Sequence, residues 1–190
     1  MKKITIAMLA VLISFCLSAC IPFGVLFNAV ASSEDAGSAA KTDGKIQRLQ
    51  SEDGKFSAVI PQGWEEMDDL HDDAELAMGA NHRERYMIAL IESKIDLEYS
   101  FDEWMEITRG TTLDNVENDQ LSEPVEVSVN GCPAIQYVLS GTVDKLNITY
   151  LLTYIDGENN YGQIICWSLK SEYKDAEAEF QQITQSVKGV

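Results

Sequence analysis

Four closely spaced strand-like runs in the C-terminal half constrain the fold more than any other feature of this sequence. They are rich in β-branched and aromatic residues and span 125–129, 134–141, 146–155 and 161–169. Short turns separate them, at Asn130-Gly131, around 143–145 and at 156–160. Because connections this short join antiparallel neighbours, the pattern predicts a meander of four sequential strands.

The region before these runs adds further strand signals. Runs at 46–50 and 55–60 flank Asp53-Gly54, a dipeptide that favours a tight hairpin turn. The run 74–79 is short and apolar, and the run 84–92 is apolar on both faces. A strand with two apolar faces is covered on both sides, so 84–92 is predicted to lie centrally in its sheet.

Two segments carry the signatures of helices. Ser100 and Glu103 form a capping box that opens the first helix, whose predicted apolar face comprises Phe101, Trp104, Met105 and Thr108. The second helix begins after Ser171, and its apolar stripe at helical spacing comprises Tyr173, Ala176, Phe180, Ile183 and Val187. Strands and helices together predict an α+β domain, an antiparallel β-sheet with helices packed on its faces.

Several short motifs accompany these elements. Segment 56–64 reads FSAVIPQGW, a strand followed by Pro-x-x-Trp, and segment 130–134 reads NGCPA in a hairpin. Segment 150–154, the strand at 161–169 and a terminal amphipathic helix follow in order. This order resembles the PsbP-like α/β/α sandwich, a group that includes many small bacterial lipoproteins. The resemblance implies a binding or assembly protein without catalysis, and it brings no shared catalytic residues.

The N-terminus reads as an export signal rather than as part of the fold. Met1-Lys2-Lys3 is positively charged, an apolar run follows at 4–17, and small residues then lead into Leu17-Ser18-Ala19-Cys20. This string resembles the lipobox of bacterial lipoprotein precursors, which implies cleavage before Cys20 and a diacylglyceryl group on its thiol. Cys16 does not fit the motif, because the bulky Phe15 precedes it.

The lipobox predicts a division of the chain into three parts. Residues 1–19 are the signal peptide, 20–44 are the lipidated N-terminus with a flexible polar tether, and 45–190 are a single globular domain. Two alternatives remain open: an uncleaved apolar helix over 4–31, or cleavage after Ala29-Val30-Ala31 that would release the protein. All three alternatives place the domain outside the cytoplasm.

The chain is strongly acidic, which excludes some classes of partner. Its formal net charge is −17, and losing Lys2 and Lys3 with the signal would remove two more positive charges. A domain of this charge repels nucleic acid and anionic lipid headgroups. We therefore expect no nucleic-acid partner. The lipobox resemblance implies attachment to the membrane through a lipid on Cys20, and we expect an envelope protein as partner.

No cofactor, metal or catalytic site is predicted. His71 and His82 have no second His or Cys at ligand spacing, and the acidic stretch 65–73 lacks the pattern of a calcium loop, so it is predicted to be a solvated loop. No G-x-S-x-G motif occurs. Sequential strand order would place Cys132 and Cys166 two strands apart, which predicts two unpaired thiols.

The three tryptophans suggest where a partner could bind. Trp104 lies on the apolar face of the first helix and Trp167 alternates with apolar residues in its strand, so both are predicted to be packed. Trp64 precedes the acidic stretch and is predicted to be partly exposed. The predicted binding edge comprises Trp64, Asp68, Asp69, His71, Asp72 and Asp73.

These features predict a membrane-anchored, non-catalytic binding or assembly module of the cell envelope. Two other functions remain open from the sequence. One is a small envelope hydrolase with dispersed acidic residues, and the other is a carrier of a small apolar ligand held between helix and sheet.

Overall fold

The structure is a computed structural model that describes residues 46–190. The signal peptide, Cys20 and the tether predicted from the sequence lie outside the described residues. Within 46–190, no helix is both long and apolar enough to cross a membrane.

Ten strands and two α-helices make up this range. The strands are β1 (Ile46–Gln50), β2 (Ser57–Pro61), β3 (Glu65–Glu66), β4 (Leu76–Ala80), β5 (Arg85–Ser93), β6 (Glu117–Leu121), β7 (Val125–Val129), β8 (Cys132–Val143), β9 (Leu146–Asp156) and β10 (Asn160–Leu169). The helices are α1 (Phe101–Leu113) and α2 (Tyr173–Gln185). Short 3-10 turns lie at Asn81–Arg83 and Lys94–Asp96.

Eight strands form one antiparallel sheet in the order β3-β4-β5-β10-β9-β8-β6, and β7 also pairs with β8. β7 to β10 pair in sequence, so the predicted meander is confirmed. β5 lies between β4 and β10, and its segment 87–90 is buried, which confirms the predicted central strand. β1 and β2 form a separate antiparallel hairpin around Asp53-Gly54.

The two helices cover opposite faces of the sheet. α2 and the β1–β2 hairpin pack on one face, here called the α2 face, and they bury Phe56, Ile60, Ala176, Phe180 and Ile183. α1 packs on the other face, the α1 face, where Trp104 and Met105 meet Tyr137, Tyr154 and Tyr161. This α/β/α layering confirms the α+β fold that the sequence predicts.

The predicted capping box opens α1. The Ser100 hydroxyl accepts from the Glu103 backbone N–H at 3.4 Å, and a Glu103 carboxylate oxygen accepts from the Ser100 backbone N–H at 2.9 Å. α2 has no side-chain cap at Glu172. Its position therefore depends on the burial of its apolar stripe, in which Ala176, Phe180 and Ile183 are fully buried.

Two strands differ from the sequence-based expectation. β6 (ENDQL) is polar and mostly exposed, and it pairs with β8 at the sheet edge. β3 lies at the start of the stretch predicted to be a solvated loop, where Glu65 and Glu66 pair with β4. Both strands lack hydrophobic alternation because neither buries a face, so backbone pairing alone defines them.

Candidate functional site

Trp64 is buried, so the prediction that it is partly exposed is wrong. Only 3% of the residue is exposed, and its ring packs edge-on against Phe180 of α2 with the centroids 6.4 Å apart. Its indole Nε1 donates to Oε1 of Glu179 at 2.6 Å. Both contacts come from α2, more than a hundred residues further along the chain, and nothing near Trp64 in the sequence indicates them.

The acidic loop after β3 lies apart from the Trp64 ring. Asp68, Asp69, Asp72 and Asp73 are exposed, while Leu70 and Ala74 pack on the α1 face. His71 is half-buried, and its Nδ1 accepts from the backbone N–H of Asp73 at 3.1 Å. Trp64 is therefore not part of an exposed binding edge. That the loop residues Asp68 to Asp73 bind a partner stays a prediction.

Trp64 belongs instead to a charged cluster, here called the Glu179 cluster, made of Trp64, Arg83, Arg85 and Glu179. Oε2 of Glu179 accepts from Nη1 of Arg83 at 2.9 Å and also from Nη1 of Arg85. The exposed fractions of the Arg83, Arg85 and Glu179 side chains are 30%, 12% and 15%. Two guanidinium groups thus share a single carboxylate in a mostly enclosed place.

The backbone between β4 and β5 brings the two arginines together. Arg83 ends the 3-10 turn, Glu84 adopts a left-handed conformation with φ of 50°, and Arg85 opens β5 opposite Ala80 and Ser168. Glu84 does not join the cluster, because its carboxylate accepts from the Tyr86 hydroxyl at 3.0 Å. Burial and this carboxylate raise the pKa of Tyr86 to about 12.

Sequence reasoning missed the Glu179 cluster, although part of its signal was visible. Two arginines spaced two residues apart at the start of a strand favour the same face. The sequence could not identify Glu179 as the partner of these arginines, because the chain contains 31 acidic residues. The position of Glu179 in the predicted helix does not show which strand residues it meets.

On the α1 face, by contrast, a single arginine meets a single carboxylate. Nη2 of Arg109 donates to both carboxylate oxygens of Glu106 at 2.7 Å, and Nη1 donates to the Tyr137 hydroxyl at 2.7 Å. The guanidinium also lies 4.9 Å from the centre of the Tyr137 ring. Its charge and its donors are therefore well matched by this chain's own groups.

Aromatic rings occupy the interface between α1 and the sheet. Trp104 stacks on Tyr161 at a centroid distance of 5.0 Å and meets Tyr154 edge-on at 6.0 Å. Trp104 and Trp167 are 2% and 6% exposed, which confirms that both are packed. The Trp104 indole N–H is enclosed, and no described residue accepts a hydrogen bond from it.

Both cysteines of the described domain are free, as the sequence predicts. Cys166 of β10 pairs with Leu151, and Leu151 pairs with Val138, six residues from Cys132 on β8. Cys132 and Cys166 are thus two strands apart and also offset along the strands, which is too far for a disulfide bond. Burial raises the pKa of Cys166 to about 12, so its thiol is protonated and a poor nucleophile at neutral pH.

The carboxyl groups of Asp53 and Glu103, whose pKa is lowered, have structural roles. Hydrogen bonds from Lys55 and Ser51 lower the pKa of Asp53 to about 2 in the β1–β2 turn. The Ser100 backbone N–H lowers the pKa of Glu103 in the α1 cap. A general acid at neutral pH needs a raised pKa, so neither carboxyl suits that role. Within residues 46–190, no three potential metal ligands gather.

Comparison with known proteins identifies the fold. No protein-family model and no curated protein matches the chain. Among solved structures, LpqN of Mycobacterium tuberculosis, described as involved in cell envelope biogenesis, matches with a TM-score of 0.56 at 12% identity, over 77% of this chain and 91% of LpqN. Cyanobacterial PsbP (CyanoP) from Synechocystis matches with a TM-score of 0.55 at 12% identity, over 80% of this chain and 96% of CyanoP.

A third solved structure is similar in fold at equally low sequence identity. A protein from Bacteroides thetaiotaomicron matches with a TM-score of 0.53 at 12% identity, over 74% of this chain and 47% of that protein. Likeness at such low identity establishes the fold alone. The chain therefore has the PsbP-like α/β/α sandwich fold, as its short motifs predicted.

Proposed function

We propose that this chain is a lipid-anchored, non-catalytic binding or assembly module on the outer side of a bacterial membrane. The observation that carries the proposal is a PsbP-like sandwich that follows the lipobox-like string Leu17-Ser18-Ala19-Cys20 in one chain. The shared fold with LpqN, a protein described as involved in cell envelope biogenesis, supports an envelope role.

The proposed anchor is a diacylglyceryl group on Cys20. Each buried methylene contributes about 0.8 kcal/mol, and one acyl chain alone anchors only marginally. A diacylglyceryl group supplies two chains, which is enough for stable attachment. Residues 32–44 (SSEDAGSAAKTDG) would then hold the domain away from the lipid surface.

The polar groups of the domain support binding over catalysis. Glu179 accepts three hydrogen bonds through its two oxygens, from Trp64 and from the two arginines, and these contacts give it a structural role. The Cys166 thiol is enclosed. In contrast, the carboxylates of the acidic loop are exposed and free to meet a partner. We therefore assign partner binding to the loop.

Crosslinking in intact cells tests this assignment. The full-length chain should capture one specific envelope protein, identified by mass spectrometry. A variant with four Asp→Asn changes should lose that protein; the changed residues are Asp68, Asp69, Asp72 and Asp73. A control variant removes four exposed carboxylates elsewhere and should keep it; these belong to Glu117, Asp119, Glu123 and Glu126.

Two outcomes would contradict the proposal. Capture of no specific protein under several crosslinking chemistries would count against a binding module. Equal capture by the loop variant and the wild type would move the binding surface away from the loop.

A further inference from the structure

The Glu179 cluster carries more positive than negative charge. Arg83 and Arg85 together contribute two positive charges, and Glu179 supplies the only carboxylate that bonds to either of them within residues 46–190. On the α1 face, by comparison, Arg109 has a carboxylate of its own, from Glu106. The excess is therefore a local feature that the overall charge of −17 does not predict.

The cluster also has unused hydrogen-bond donors. In the described part of the chain, each arginine donates to Glu179 through Nη1 only. Nε of Arg85 is enclosed and has no hydrogen-bond partner among residues 46–190. An enclosed cationic donor without an acceptor is costly, and buried polar groups nearly always have a partner. The described residues therefore leave this donor of the cluster without an acceptor.

We propose that Arg83 and Arg85 bind a phosphate group beside Glu179. Guanidinium groups match phosphate oxygens through paired, charge-assisted hydrogen bonds. A singly charged phosphate would bring the net charge of the cluster to zero. Phosphate also has enough oxygens to accept from two separate guanidinium groups. Arg83, the more exposed of the pair, opens the site to solvent.

The position of the site allows two sources of phosphate. A phosphate group can approach the cluster from solvent at Arg83, whose side chain is 30% exposed. The phosphate could belong to a lipid headgroup or to a soluble molecule. The inference goes beyond the proposed function, and it stands whether or not Cys20 carries lipid.

The Trp64 indole N–H gives a direct readout, because it donates to the same carboxylate as the arginines. We would titrate the full-length chain in nonionic detergent with inorganic phosphate at constant ionic strength, and follow the three indole signals by NMR. The Trp64 signal should shift and saturate. The signals of Trp104 and Trp167 should not, since both rings lie on the α1 face.

Variants separate a binding site from a purely structural contact. Arg83→Gln should weaken phosphate binding by roughly tenfold or more, the loss expected for a charge-assisted hydrogen bond. Glu179→Gln removes the competing negative charge and should tighten binding. Arg48→Gln makes the same charge change on exposed β1 and should leave the affinity unchanged.

A second titration identifies the source. Detergent micelles that contain phosphatidylglycerol would replace the inorganic phosphate, with pure detergent micelles as control. A saturable Trp64 shift in either titration supports the site, and the stronger response names the source. No saturable shift in either titration would overturn the proposal. A shift that Arg83→Gln leaves unchanged would overturn it as well.

Discussion

At the scale of single residues, two buried tryptophans differ in one hydrogen bond. Trp64 donates its indole N–H to Glu179, whereas the enclosed Trp104 indole N–H finds no acceptor in the described part of the chain. Both side chains are 2–3% exposed, so their hydrophobic burial is similar. The pair therefore separates the contribution of the Glu179 hydrogen bond from that of packing.

Trp64→Phe should lower the free energy of unfolding more than Trp104→Phe does. Both changes remove similar volume, but only Trp64→Phe deprives a carboxylate of a donor, which costs about 1–3 kcal/mol. Urea denaturation of both variants and the wild type measures the difference. Equal losses would mean that the hydrogen bond to Glu179 adds nothing to stability.

A second residue-scale prediction concerns alkaline pH. Burial raises the pKa of Cys166 from 9.0 to about 12, so the unfolded chain releases this proton at lower pH than the folded chain. The stabilising effect is complete below pH 9 and is lost as the pH rises towards 12. The slope from this thiol is at most about 1.4 kcal/mol per pH unit.

Replacement of the thiol tests this slope. Cys166→Ala should make the free energy of unfolding fall less steeply above pH 9 than in the wild type. Cys132→Ala should keep the wild-type slope, because Cys132 is only half-buried. Burial raises the pKa of Tyr150 to about 12, so this residue also makes the free energy of unfolding fall at alkaline pH. Its contribution is the same in all three proteins. Parallel curves for all three would refute the role of Cys166.

At the scale of elements, the two helices are stabilised differently. α1 has a complete capping box from Ser100 and Glu103, whereas α2 has no side-chain cap. α2 instead buries more of its apolar stripe, with Phe180 and Ile183 fully enclosed. Local sequence therefore contributes more to α1, and tertiary packing contributes more to α2.

Ser100→Ala should destabilise the protein by about 0.5–2 kcal/mol, the usual cost of losing an N-cap. The matched change Ser171→Ala lies just before α2, where no capping hydrogen bond forms, and should cost much less. Thermal denaturation of the two variants gives the comparison. A larger effect at Ser171 would contradict the assigned caps.

The elements that could be predicted from the sequence are those with a local pattern, such as a turn dipeptide, an apolar run or a helix cap. The Asn130-Gly131 turn and the apolar runs around it specify the meander, and the capping box specifies α1. β3 and β6 expose both faces, so they leave no alternation to recognise. The Glu179 cluster depends on contacts of Trp64, Arg83 and Arg85 with α2, which lies far from all three in the sequence.

At the scale of the whole molecule, the sheet separates two different interiors. The α1 face is dominated by aromatic rings, including Trp104, Tyr154 and Tyr161. The α2 face is mainly aliphatic around Phe180, and it carries the Glu179 cluster at the β4–β5 end. Binding of the proposed phosphate and of the proposed protein partner would therefore use different parts of the domain.

The central claim is that the domain is fixed to a membrane through Cys20. If the proposal holds, the lipid on Cys20 supplies the attachment. Cys20→Ser should abolish lipid attachment, whereas Cys16→Ser should leave it unchanged, because Phe15 keeps Cys16 outside the motif.

The intact mass of the wild-type protein, recovered from both the membrane fraction and the culture medium, tests this claim most directly. We expect a chain that begins at Cys20 and carries the added mass of a diacylglyceryl group. An unmodified chain that begins at Met1 would establish the uncleaved helix instead. An unmodified chain that begins at Ser32 would establish cleavage after Ala31, and either result would contradict the lipid anchor.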